Sequence, residues 1–99
     1  VKELNAKITG ARIFIEDHGM LTFYIDVRYD GCSYQGFGGY DLRGPKTGKL
    51  IEKILTTLEV DDWSKLKGQA VRVRIENGLI RAMGHFLENK WIVPAEILS

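Results

Sequence analysis

The residues best suited to chemistry are few, and their spacing decides what each could do. Gly44-Pro45-Lys46-Thr47-Gly48-Lys49-Leu50 has the look of a phosphate-binding loop until its intervals are counted. Three residues separate Gly44 from Gly48 where that loop needs four, and Leu50 stands where a Ser or Thr would bind magnesium. What survives is a helix start beside Arg43, Lys46 and Lys49, whose amide groups and cations suit a phosphate or carboxylate. A solvated lysine loop is the plainer alternative. Gln35-Gly36-Phe37-Gly38-Gly39-Tyr40 shares a Gly-aromatic-Gly core with RNA-recognition strands, but Gln35 replaces the basic residue and Gly39 the second aromatic. Cys32 sits between Gly31 and Ser33 with no base beside it, and His18 and His85 lack metal-ligand spacing. No catalytic set, metal site or cofactor motif emerges, so the expectation is a non-enzymatic protein.

The elements that must position these residues follow from periodicity. Leu21, Phe23, Ile25, Val27 and Tyr29 alternate with polar residues, as do Ala11, Ile13 and Ile15. Leu4, Ala6 and Ile8 keep the opposite phase, which calls for a bulge near Thr9-Gly10. A three-residue loop, Asp17-His18-Gly19, sets Ile15 against Leu21, Ile13 against Phe23 and Ala11 against Ile25. A four-residue turn, Asp30-Gly31-Cys32-Ser33, would then pair Tyr29 with Tyr34, Val27 with Gly36 and Ile25 with Gly38. That register places the strand glycines on the core face, leaving room there for a bulky neighbour. Leu50, Ile51, Ile54, Leu55 and Leu58 recur at helical spacing, and an Asp of Asp61-Asp62 can cap a short turn that ends at Gly68. Val71, Val73 and Ile75 then alternate up to Asn77-Gly78, a two-residue hairpin that opposes Ile75 to Ile80, Val73 to Ala82 and Val71 to Gly84. A last short strand runs from Trp91 to Val93. The order β-β-β-α-β-β, with this last strand after it, predicts an α+β fold: one antiparallel sheet with one amphipathic helix on its inner face and the final hairpin on either edge.

Two surface patches follow from these registers. Phe14, Tyr24 and Phe37 fall on the sheet face away from the helix, among Arg12, Asp26, Arg28 and Asp41. This mixed face is to be covered by the segment with Trp91, by a second copy or by another partner. Arg74 falls opposite Arg81, and Arg72 opposite Met83 with His85 beyond. Like charges facing each other need an acidic neighbour, Asp26, Asp30 or Glu76, or an external anion.

Composition bounds the partners. The chain has 99 residues, enough for one core, with a folded surface of ~5,700 Å² expected from its size. Fourteen basic residues against thirteen acidic leave +1, which disfavours a nucleic-acid partner and nucleic-acid mimicry alike. A single cysteine excludes an internal disulfide, and no apolar run approaches the roughly 18 residues of a membrane span.

Glu16-Asp17-His18-Gly19 followed by Gln35-Gly36-Phe37-Gly38-Gly39-Tyr40 resembles a family of small phage and prophage proteins. Further similar stretches are Trp63-Ser64-Lys65-Leu66-Lys67-Gly68 running into Val71-Arg72-Val73, and Gly84-His85-Phe86 leading to Trp91. Asp30-Gly31-Cys32-Ser33-Tyr34 departs from the shorter, glycine-richer turn expected of that family. The resemblance implies a phage or mobile-element origin, a bacterial cytoplasmic location and no catalytic residues. The resulting expectation is an accessory binding protein, self-associating, that antagonises a host defence system through a protein surface or a nucleotide. Phe14, Tyr24, Asp26, Arg28, Phe37, Arg43, Lys46 and Lys49 are its candidate ligand or interface residues. A nucleic-acid-binding or phage structural module using Arg72, Arg74, Arg81 and His85 is the alternative.

Overall fold

A computed structural model describes all 99 residues. Strand β1 (Lys2–Ile15) turns into β2 (Leu21–Tyr29) and β3 (Ser33–Gly38). Helix α1 (Thr47–Leu58) and a 3-10 turn at Trp63–Lys65 lead to β4 (Ala70–Glu76), β5 (Leu79–His85), β6 (Trp91–Ile92) and a short helix α2 (Pro94–Leu98). The strands form one antiparallel sheet in the order β3-β2-β1-β4-β5-β6, so the fold is α+β. The last hairpin joins the β1 side. The second helix was not expected; Pro94 starts it directly after the extended Val93, and Ile97 and Leu98 pack against the core.

The first hairpin has the predicted register, with Ile15 opposite Leu21, Ile13 opposite Phe23 and Ala11 opposite Ile25. The bulge lies between Ile8 and Gly10, so both halves of β1 turn their apolar residues inward. The second hairpin differs by one residue. Asp30 and Gly31 both take positive φ (50° and 77°), which tightens the turn to Asp30-Gly31-Cys32 and pairs Tyr29 with Ser33 and Ile25 with Phe37. One residue of slip exchanges the faces of a strand. Phe37 is therefore fully buried, edge-on to Phe23 at 6.0 Å, and Gly36 lies on the outer face. The expected glycine-lined core face does not exist. The glycines instead make room outside for Tyr24: a Cβ on Gly36 would come within 2.8 Å of its ring, and one on Gly39 within 2.8 Å of its hydroxyl.

Asn77 and Gly78 form the predicted tight turn and set Ile75 against Ile80. A bulge then places Arg74 opposite Ala82, Val73 opposite Met83 and Arg72 opposite Gly84, in place of the even register expected. Arg81 becomes the extra residue, so Arg74 and Arg81 never face each other and Met83 enters the core.

One cluster of 16 buried residues includes Phe23, Ile25, Leu50, Ile54, Leu66 and Ile92, with Leu50, Ile54 and Leu58 as the buried apolar stripe of α1. The accessible surface, 5857 Å², matches the size-based expectation. The helix stops where Glu59 takes a left-handed conformation (φ 59°) and its N–H bonds back to the carbonyls of Leu55 and Thr56. Asp62 caps the 3-10 turn by accepting from the Ser64 N–H.

The sheet curls until β3 approaches β5, and one side chain joins them. The Gln35 amide accepts from the Ile80 N–H at 2.7 Å and donates to the Gly78 carbonyl at 3.1 Å. Gln35→Leu leaves both backbone groups without these partners. A loss of about 1–3 kcal/mol in urea unfolding is expected, with faster amide exchange at Ile80.

Candidate functional site

The outer face of β1–β3 carries the aromatic residues. Side chains one strand apart meet here because Arg12 is opposite Tyr24 and Phe14 opposite Thr22, a diagonal that brings the Phe14 and Tyr24 rings to 6.0 Å and 32°. The Arg12 guanidinium lies 4.1 Å over the Phe14 ring. Asp26 is half-buried beside Gly36 and Gly10, and Arg28 is exposed. Beyond Tyr24 the face continues into a groove of about 350 Å³ at the β3–β5 seam, floored by Gly36 and Gly38 and walled by Tyr40, Leu79 and Arg81. Arg12, Arg28 and Arg81 form no ion pair. Three guanidiniums without ion pairs, against Asp26 and Glu16 at the end of β1, leave the face with a small positive excess. Tyr40 stacks on Phe23 at 6.2 Å; burial raises its phenol pKa, and nearby Arg81 works in the opposite direction.

Of the predicted interface residues, Phe14, Tyr24, Asp26 and Arg28 share this face. Phe37 does not, because the slipped register puts it in the core. Trp91 does not cover the face either. It lies against Gly84, where a Cβ would come within 2.7 Å of its ring.

The cations expected to complete a nucleotide site lie apart from it. Lys46 donates to the carbonyl of Ser99. Lys49 lines a separate hollow of about 500 Å³ with Lys53, Glu52 and Glu96, where α1 meets α2. Arg43 is taken up by Asp41, donating from Nε at 2.9 Å and from Nη2 at 3.0 Å. Those side-chain bonds, then the Arg43 N–H, lower the Asp41 pKa to about 2. A carboxylate depressed in the folded state favours folding above the ordinary carboxylate range, and that contribution fades as pH falls toward about 2. Following the carboxyl carbon by NMR, Asp41 is expected to titrate near 2, and to return toward 3.8 in Arg43→Gln.

The basic hairpin is internally compensated, and by a residue other than those expected. Glu3, on β1, receives Arg72 Nη1 at 3.0 Å and Arg74 Nε at 3.3 Å, in place of Asp26, Asp30 or Glu76. Arg72 also donates to the carbonyls of His85 and Glu88, and Arg74 stacks 3.7 Å over Trp91. Arg81 stands apart, at the seam groove.

His85, Glu59 and Glu88 bring potential metal-ligand atoms within 4.8 Å of one another, which the spacing in sequence did not suggest. The hydrogen bonds argue for a different use. His85 Nδ1 accepts from the N–H groups of Leu87 and Glu88 at 3.1 and 3.0 Å, so the proton sits on Nε2 and points at Glu59 Oε1, 3.2 Å away. Freeing Nε2 for a metal would move that proton to Nδ1, against two N–H donors. Lys90 and then His85 lower the Glu59 pKa, and the group ties the end of α1 to the β5–β6 loop.

Gln35, Tyr40 and Leu79 were not foreseen as part of a site, and Arg81 was expected on the basic hairpin face rather than at this groove. The hint in the sequence was a glycine-rich strand beside one that carries Tyr24 at an outward position. No family model and no curated protein matches the chain.

Proposed function

We propose that this is a non-enzymatic binding protein of phage or prophage origin that antagonises a host defence system by occupying a protein surface. The observation that carries the reading is the outer face. Exposed arginines flank a strip of Phe14, Tyr24 and Leu79 over a glycine floor, which suits a protein presenting carboxylates between apolar side chains. A nucleotide ligand is less well supported, because Phe37 is buried and Arg43 is engaged by Asp41. The alternative of nucleic-acid binding loses support because Arg72 and Arg74 are held by Glu3.

The test is affinity capture from host-cell lysate with the wild type, Phe14→Ser, Arg81→Glu and the control Lys53→Glu on α1. A protein held by the wild type and the control, and at least about tenfold more weakly by both face variants, supports the reading. A partner bound equally by all four, or catalytic turnover by the purified protein, overturns it.

A further inference from the structure

The second half of β1 is bonded on one side only. β4 covers Lys2 to Lys7, and Ile8 makes the last bonds on that side, to Gln69 and Gly68. From Thr9 to Ile15 only β2 is paired. Glu16 N–H bonds to the Met20 carbonyl, and the Phe23 and Leu21 carbonyls face β3 through Gly39 and Leu42. Alternation along the ladder therefore turns the N–H and C=O groups of Ala11, Ile13 and Ile15 away from β2, into the open edge. On the inner face of the same stretch, Ile13 is 43% and Ile15 64% exposed. The stretch contains no proline, and Arg12 is its only charged residue.

We infer that this edge pairs with a second copy of the chain, β1 against β1, antiparallel about a twofold axis at Phe14. In that register Ile13 lies opposite the partner's Ile15, and Ile15 opposite the partner's Ile13. These are the residues with free outward backbone groups, and each such pair exchanges two N–H···O bonds. The four exposed isoleucines meet on one face. On the other face Phe14 meets the partner's Phe14, and Arg12 lies opposite the partner's Glu16, twice by symmetry. Glu16 is ready for that role, since Oε1 accepts from the His18 and Met20 N–H groups while Oε2 makes no bond. Centring the axis on Ile13 would oppose Arg12 to Phe14 and Glu16 to Gly10. Centring it on Ile15 would oppose Arg12 to His18. Only the Phe14 axis matches the charges. The pairing also brings the two outer faces together, but it does not depend on what those faces bind.

Sedimentation velocity from micromolar to millimolar protein tests this. The wild type is expected to dimerise, and Arg12→Glu, which creates two like-charged pairs, to weaken the dimer about tenfold or more. Glu16→Lys alone should weaken it similarly, and an equal mixture of the two variants should recover a dimer, since every cross-chain pair is then opposite in charge. Because Glu16→Lys also removes a turn acceptor, amide exchange in the wild type provides a second reading. The Ala11, Ile13 and Ile15 amides should be protected at high concentration and exchange freely on dilution. A wild type that stays monomeric with those amides fast throughout overturns the inference. So does a dimer indifferent to Arg12→Glu with those amides unprotected.

Discussion

Phe37→Ala is expected to destabilise the protein by about 3–5 kcal/mol, a large part of the stability of a domain this size. The ring is fully enclosed, edge-on to Phe23, and its removal leaves a cavity between β3 and the aromatic cluster that includes Tyr40 and Trp63. Urea unfolding reads the effect as a lower midpoint with an unchanged slope. Phe14→Ala, a half-buried position on the opposite face, should cost no more than about 1 kcal/mol. Equal costs at the two positions would contradict the observed β2–β3 register.

Gly38→Ala is the second large effect, roughly 3 kcal/mol or more. Gly38 has φ 147°, and a Cβ there would lie 2.1 Å from the carbonyl oxygen of Phe23. That carbonyl cannot move aside freely, because it accepts the Gly39 N–H at 2.9 Å. The collision is with backbone on a fully buried strand neighbour, so a rotamer change cannot relieve it. Thermal unfolding should show a fall of well over 10 °C, at the roughly 4–8 °C per kcal/mol usual for this chain length. Gly44→Ala supplies the control: nothing lies within 4 Å of the added carbon, and the melting temperature should hardly change.

Much of the architecture was legible because local signals agreed. The loop Asp17-His18-Gly19, the phase change at Thr9-Gly10 and the Asn77-Gly78 turn each pointed to the pairing observed around them. The failures have a common form. Asp30 adopts a left-handed conformation that residues other than glycine seldom take, and the resulting one-residue difference reversed every side chain of β3. An extra residue at Arg81 similarly undid the Arg74–Arg81 opposition. The site suffered most, because its parts depend on contacts remote in sequence. Glu3 reaches Arg72 across 69 positions, and Gln35 reaches Ile80 across 45. Neither pairing leaves a periodic trace. Phe14, Tyr24 and Arg28 were placed correctly because they depend only on the first hairpin.

The Gln35 amide has a consequence for motion. A closed barrel is held along its length by a backbone ladder, whereas this seam is fastened at one point by two hydrogen bonds. At about 1 kcal/mol for each bond, the fastening is small beside the burial of Phe37 and Ile80 in the core on either side of it. The groove between Tyr24 and Arg81 straddles that fastening. An occupant that wedges β3 from β5 must therefore break both Gln35 bonds and begin to uncover the core behind them.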